Sequence, residues 1–309
     1  MSERRSIGIL GATGHVGKVL AAGLSADHEM TLYARRPEVA SAFAKARGIR
    51  VAVASLNSLG EARHDALVNC IGVGDPVAVR ANPALVYEVT CWADGLALGY
   101  LDANPGCRLV NFSSGAAYCS EFEVPAHDGM AVSLEAAALR PDQHYGLAKL
   151  ASEGRHRALR DAAIIDLRLF SLFSRDVDSS AGFLMNEVLR CVLRGTTLVT
   201  GPVDHIRDYV APADLCSLVG ACIECAPVNE AVDVYSAAPV GKFEMLDAFR
   251  DLFNLAYTVD DVQAASGATG SKPAYFSGSR GAGALGYVPT RTSLETLIEE
   301  SEALLKTTR

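Results

Sequence analysis

The chain has 309 residues, of which 50% are hydrophobic and 21% charged, enough to bury a large core. Its formal net charge of −8 argues against a general nucleic-acid binder, which needs a basic face to displace counterions. The apolar run Ile7–Leu10 near the start is too short for a secretory signal, and no run approaches the roughly 18 apolar residues of a membrane span, so a cytoplasmic protein is expected.

Taken in chain order, the first 170 residues alternate strand-like and helix-like segments. "SIGIL" (6–10) predicts a strand, "HVGKVLAAGLS" (15–25) a helix, "MTLYA" (30–34) a strand, and Pro37 opens a second helix. Further strands are expected at "IRVAVA" (49–54), "ALVNCIG" (66–72), "CRLVNFSS" (107–114) and "AIIDLRLF" (163–170). Helices are expected at 83–99 and 145–159, where apolar residues recur every three or four positions. Strands joined by helices need crossover connections. That predicts an α/β fold with a Rossmann-type, doubly wound parallel sheet, over residues 1–175. Residues 176–309 are more mixed and predict a smaller substrate-binding lobe, with a Gly/Ser/Ala-rich stretch at 257–289 and a final helix at about 292–306. The chain can cross back into the main sheet within that lobe. The eight cysteines are scattered. Cys222 and Cys225 have metal-ligand spacing, but no second pair accompanies them, so they are read as two cysteines on a helix and no metal is expected.

In such sheets ligands bind at the carboxyl ends of the strands. "GATGHVG" follows the first strand and sets Gly11, Gly14 and Gly17 three apart, with Ala12, Thr13, His15 and Val16 between them. Glycines there permit a tight turn and close approach of the backbone to a pyrophosphate, and the helix amino terminus offers free N–H groups. At the end of the second strand, "LYARRP" places Arg35 and Arg36 where NAD sites usually carry an acid for the ribose 2′-hydroxyl. A guanidinium suits a 2′-phosphate, so NADP(H) is favoured over NAD(H).

"HYGLAK" supplies Tyr145 and Lys149 at i and i+4, on one face of a helix. An ammonium beside a phenol favours the phenolate; moving a phenol pKa from about 10 to about 7 takes roughly 4 kcal/mol. The strand "LVNFSSGAAY" ends in the hydroxyls of Ser113 and Ser114, either of which can hydrogen-bond a substrate oxygen.

Together "GATGHVG", "NFSSGAAY" and "YGLAK" resemble the extended short-chain dehydrogenase/reductase family, whose members mostly act on nucleotide sugars. "LRLFSLF" (167–173), "HIRDYVAPADLCSLV" (205–219) and "ALGYVPTRTSLETLIEE" (284–300) extend the likeness in the family's order. The resemblance implies Ser114, Tyr145 and Lys149 as catalytic residues, with Lys149 also holding the nicotinamide ribose. It places Leu56, Cys70, Ile71 and Gly72 along the cofactor, and Arg207 on the diphosphate of a nucleotide sugar; an ion pair of Arg207 with Asp208 or Asp204 is the alternative. The chain also departs from the family. Gly115 and Ala116 replace the Asp-Glu that follows the catalytic Thr in dehydratases, Ser171 replaces an Asn, and "ASLNS" (54–58) lacks an Asp near the adenine.

The expected activity is NADPH-dependent reduction of a nucleotide-linked 4-keto deoxysugar, Tyr145 giving the proton. The alternative is a nucleotide-sugar 4-epimerase; a reductase of a small ketone and a non-catalytic NADP(H) sensor are further readings. A homodimer through the helices at 83–99 and 145–159 is expected.

Overall fold

The computed structural model describes residues 4–132, 134–135, 137–260 and 272–308, so residues 261–271 of the Gly/Ser/Ala-rich stretch lie outside it. Strands β1 (Ser6–Leu10), β2 (Glu29–Ala34), β3 (Ala52–Ser55), β4 (Ala66–Asn69), β5 (Arg108–Ser114) and β6 (Ile164–Leu169) alternate with helices α1 (His15–Leu24), α2 (Pro37–Ala46), α3 (Pro76–Ala81), α4 (Pro83–Ala103) and α5 (Pro141–Ala158). Beyond them come the short β7 (Ser171–Leu172), α6 (Leu184–Arg194), β8 (Leu198–Thr200), β9 (Ile206–Arg207), β10 (Tyr209–Val210) and α7 (Pro212–Glu224). β11 (Asn229–Asp233) precedes β12 (Val240–Gly241), α8 (Lys242–Phe253), β13 (Tyr257–Val259), β14 (Ala274–Tyr275) and α9 (Ser293–Thr308).

The main sheet runs β3-β2-β1-β4-β5-β6-β11, every pair parallel. Its strands are short and apolar because helices cover both faces: Ile7, Ile9, Leu67, Val68, Leu109, Val110, Ile164 and Ile165 have no exposure at all. β11 joins the sheet beside β6 after an excursion of about 60 residues, the last helix of which, α7, already packs on the main core, so the chain does cross back. The order reverses between β1 and β4, and the crevice at that switch point opens at the ends of both strands.

The lobe has its own core, built from Phe173, Met185, Leu189, Leu246, Phe249 and Leu297. β9 pairs with β12 on one side and β14 on the other, which sets Arg207 beside Tyr275. α4 begins at Asn82, whose side chain accepts from Leu85 N at 3.3 Å, and α5 where Arg140 N donates to Gln143 Oε1 at 2.9 Å. No described helix is long and apolar enough to cross a membrane.

Candidate active site

The glycine loop closes as its sequence demands. Gly11 has φ 79°, and its N–H and that of Ala12 donate to Tyr33 O at 3.0 and 3.3 Å, tying the loop to the end of β2. At Gly17 a Cβ would lie 2.6 Å from Gly11 O and 2.7 Å from Ala12 Cα, so only glycine lets α1 start this close to β1. Thr13 is half-buried and Gly14 exposed at the helix terminus, while Val16 packs on the sheet core. His15 is engaged elsewhere: its Nε2 lies 2.7 Å from Ser174 Oγ, and burial lowers its pKa to about 4, so it is neutral.

Across the switch point, Cys70 N donates to Leu10 O at 3.0 Å and Ile71 N to Asn69 Oδ1 at 3.1 Å, which fixes the path of residues 70–72 along the loop. Burial pushes the Cys70 thiol up, so it stays protonated. A Cβ at Gly72 would sit 3.6 Å from Lys149 Nζ. The lysine is buried and donates to Phe112 O at 2.8 Å, which places its ammonium between the ends of β4 and β5.

Tyr145 lies one turn before Lys149, half-buried beside Val73, Tyr87, Val79 and Val86. α5 reaches the end of β5 because residue 146 is glycine: a Cβ there would lie 2.2 Å from Ala116 O. Ser114 Oγ accepts from Ala116 N at 3.2 Å and meets the Tyr275 hydroxyl, also at 3.2 Å. Tyr275 is buried against Phe122 and Phe170, and desolvation raises its pKa to about 12, with Tyr145 close enough to add to the rise. Ser114, Tyr145 and Lys149 therefore converge at the carboxyl ends of β4 and β5.

Other residues singled out by sequence lie differently. Ser113, expected at the substrate, faces away: strand alternation turns it to Glu153 on α5, whose Oε1 accepts its hydroxyl at 2.5 Å. Glu153 in turn holds Arg168, whose guanidinium covers the ring of Tyr118. Ser113 is a structural residue here. Leu56 is buried in the core beside Leu10, Tyr33 and Leu59. Arg207 is 5% exposed; its Nη1 donates to Ile206 O at 2.9 Å and Lys272 O at 2.8 Å, and its guanidinium lies 5.8 Å from the Tyr275 ring. Asp208, the partner considered for it, accepts instead from Ser236 N and Ser293 Oγ. Arg35 and Arg36 are exposed at the end of β2, their guanidiniums unengaged by any described residue. Cys222 ends up on α7 and Cys225 caps it. Arg108 Nη1 donates to Cys222 O at 2.5 Å and to Cys225 Sγ at 2.9 Å, and among the described residues no cluster could hold a metal ion.

Sequence reasoning missed two features. One is Tyr275. The other is a buried polar ladder beneath the site: Asn69 Nδ2 donates to Asn111 Oδ1 at 2.9 Å, Asn111 Nδ2 to Asp166 Oδ1 at 2.6 Å, and Asp166 meets His156 Nδ1 at 2.9 Å. His156 Nε2 reaches Asp94 Oδ1 at 2.6 Å. Because Asn69 also accepts from Ile71, the ladder ends at the backbone that lines the crevice.

The fold is similar to solved sugar-nucleotide enzymes along its whole length. A UDP-glucose 4-epimerase from Stenotrophomonas maltophila, solved with NAD and formylated UDP-arabinopyranose, superposes with a TM-score of 0.83 at 14% identity, covering 99% of both chains. The UDP-glucuronic acid 4-epimerase of Bacillus cereus, solved with UDP-glucuronic acid and NAD, gives 0.79 at 14% identity over 98% of this chain and 100% of that one. The UDP-N-acetylglucosamine 4-epimerase of Methanobrevibacter ruminantium M1, in complex with UDP-N-acetylmuramic acid, gives 0.81 at 13% identity over the full length of both. No curated protein matches the sequence. The family model "NAD dependent epimerase/dehydratase family" matches residues 7–236, which takes in the glycine loop, Ser114, Tyr145, Lys149 and Arg207. The chain belongs to the NAD-dependent epimerase/dehydratase family.

Proposed function

We propose that the protein is a nucleotide-sugar 4-epimerase that uses a recycled NAD(P). The observation that carries this reading is the convergence of Ser114, Tyr145 and Lys149 beside the glycine loop, in a chain that follows 4-epimerases from end to end. A dinucleotide fits the residues present: the left-handed Gly11, the tight Gly17 and the uncovered amino terminus of α1 form a cradle that larger side chains would fill. Gly11 to Gly17 would hold the pyrophosphate, residues 70–72 and Lys149 the nicotinamide half, and Arg35 the adenosine ribose. When bound there, the dinucleotide would supply the hydride acceptor and donor for the sugar carbon.

The chain's own residues manage the proton and the oxygen. Tyr145 removes the proton from the sugar 4-hydroxyl as the carbonyl forms, and gives it back after the ring has turned over. Ser114 hydrogen-bonds the same oxygen. Lys149 supplies positive charge where negative charge develops on oxygen. Arg207 and Lys272, both against the Tyr275 ring, offer cations for a diphosphate. Gly115 and Ala116 supply no carboxyl, so elimination of water is not proposed.

The test is incubation with UDP-glucose or UDP-glucuronic acid and catalytic NAD+, followed by NMR of the sugar. Interconversion of the 4-epimers without net change in nicotinamide absorbance is expected. Stoichiometric loss of NADPH with a 4-keto nucleotide sugar, and no epimerisation, overturns the reading in favour of a ketoreductase. That second reading has its own support in Arg35 and Arg36, which put two unengaged cations at the ribose end of the crevice. Replacing both with alanine is expected to weaken NADP+ binding by about 10- to 100-fold, the worth of one or two charged hydrogen bonds, and to leave NAD+ binding unchanged. Fluorescence titration reads both; an equal effect on the two cofactors removes the 2′-phosphate role.

A further inference from the structure

We propose that Tyr275 is a positioning residue that fixes Ser114 as a hydrogen-bond donor to the substrate oxygen; this rests on the reading of Ser114 and Tyr145 as the reactive pair. A serine hydroxyl has two lone pairs and one proton. Ser114 Oγ accepts from the Ala116 N–H and meets the Tyr275 hydroxyl, both at 3.2 Å, and the Ala116 N–H reaches the Tyr275 hydroxyl as well. Either hydroxyl can donate across this contact; the phenol is the stronger acid of the two, and on that ground the donor role is given to Tyr275 and the acceptor role to Ser114. With Ser114 Oγ accepting from both neighbours, its own proton is turned away from Ala116 and Tyr275 and toward the site.

The surroundings keep this arrangement in place. Tyr275 packs edge-on against Phe122 with ring centroids 4.8 Å apart, and tilted against Phe170 at 5.2 Å. Its backbone is held by the pairing of β14 with β9, opposite Arg207. Burial raises the phenol to about 12, so it keeps its proton at any working pH. Tyr275 touches the reaction through Ser114, and that makes its effect separable from its packing.

The experiment is a double-mutant cycle of wild type, Tyr275→Phe, Ser114→Ala and the double variant. UDP-glucose and UDP-glucuronic acid are the probes, each with NAD+ and with NADP+, and thermal midpoint and cofactor affinity are measured alongside. Phenylalanine keeps the ring, so Tyr275→Phe is expected to lower kcat about 3- to 10-fold, one net hydrogen bond, with KM, cofactor affinity and thermal midpoint little changed. In the Ser114→Ala background the same change is expected to cost nothing further. In a Ser114→Thr background, which keeps a hydroxyl, the loss should return.

Equal losses with and without the Ser114 hydroxyl overturn the proposal, as does a Tyr275→Phe that is as fast as wild type. A faster Tyr275→Phe also overturns it, because it would mean that the phenol competes with substrate for Ser114. A large fall in thermal midpoint for Tyr275→Phe alone assigns the hydroxyl to structure, which likewise overturns it. If wild type is active and the cycle additive, only the Tyr275 assignment fails. If wild type turns over neither sugar, the epimerase reading fails and takes this one with it.

Discussion

Tyr145→Phe is expected to lower turnover by about 10²- to 10⁴-fold, the usual worth of a positioned general acid–base, with cofactor affinity and stability nearly intact. The substitution removes one oxygen and keeps a ring that packs beside Val73, Tyr87 and Val86. No described residue bonds the Tyr145 hydroxyl, so its loss strands no partner in the free protein. The effect belongs to the reaction alone. The groups described at the site are poor replacements for the phenol as a proton carrier. Ser114 is an alcohol already engaged by Ala116 N and Tyr275, Lys149 is committed to Phe112 O, and the Cys70 thiol is pushed up by burial. Single-turnover measurement of nicotinamide reduction with UDP-glucose checks this, together with a cofactor titration on the same variant. A Tyr145→Phe that epimerises within threefold of wild type removes the phenol from the mechanism.

The strand positions, the glycine turn and the shared helix of Tyr145 and Lys149 were legible because each has a local cause. Buried parallel strands must be short apolar runs, the turn after β1 needs glycines, and i, i+4 spacing puts Tyr145 and Lys149 on one face. Glu153, a further four residues along α5, lies on that face as well and takes the Ser113 hydroxyl. Which of two adjacent serines faces the site depends on the phase of β5, and the chain alone does not give that phase. Tyr275 is more remote still. It is 161 residues from Ser114 and reaches it only because β14 pairs with β9, a strand of two residues with no periodicity to read. The polar ladder leaves a sequence signal that is visible only once register is known. "ALVN", "LVNF" and "IIDL" each carry one polar residue in an apolar run, and Asn69, Asn111 and Asp166 fall side by side across three neighbouring strands. Three such residues would be costly to bury singly; in register they satisfy one another.

That ladder ends in the second large expected effect: His156→Leu is predicted to destabilise the protein by about 3–5 kcal/mol, the cost of removing one partner from a buried ionic cluster. His156 has no exposure, and each ring nitrogen faces a carboxylate, Asp166 at 2.9 Å and Asp94 at 2.6 Å. Burial alone would lower its pKa, but hydrogen bonds to Asp166 and Asp94 outweigh it and raise the group to about 9, so the imidazolium persists at neutral pH. Arg155 and Ser152 also reach Asp94, and Arg157 reaches Asp166, so without His156 both carboxylates stay buried with part of their charge unanswered. The sign of the pH dependence follows. A folded pKa of about 9 against an ordinary 6.5 means that the folded protein holds the extra proton, so this stability is complete below 6.5 and lost as pH rises to 9. His15, His64 and His205, all held below the ordinary value first by burial, act on the acid side of 6.5, so among these shifted histidines only His156 acts on the alkaline side. Urea unfolding of wild type should therefore show a decline between pH 6.5 and 9 that the leucine variant lacks, its thermal midpoint falling by roughly 10 °C at neutral pH. A variant with the same slope and midpoint would mean that the cluster is neutral to folding. Because Asn69 passes the ladder's geometry to Ile71 N, the same variant should also bind the dinucleotide more weakly, which joins the stability of the sheet to the shape of the site.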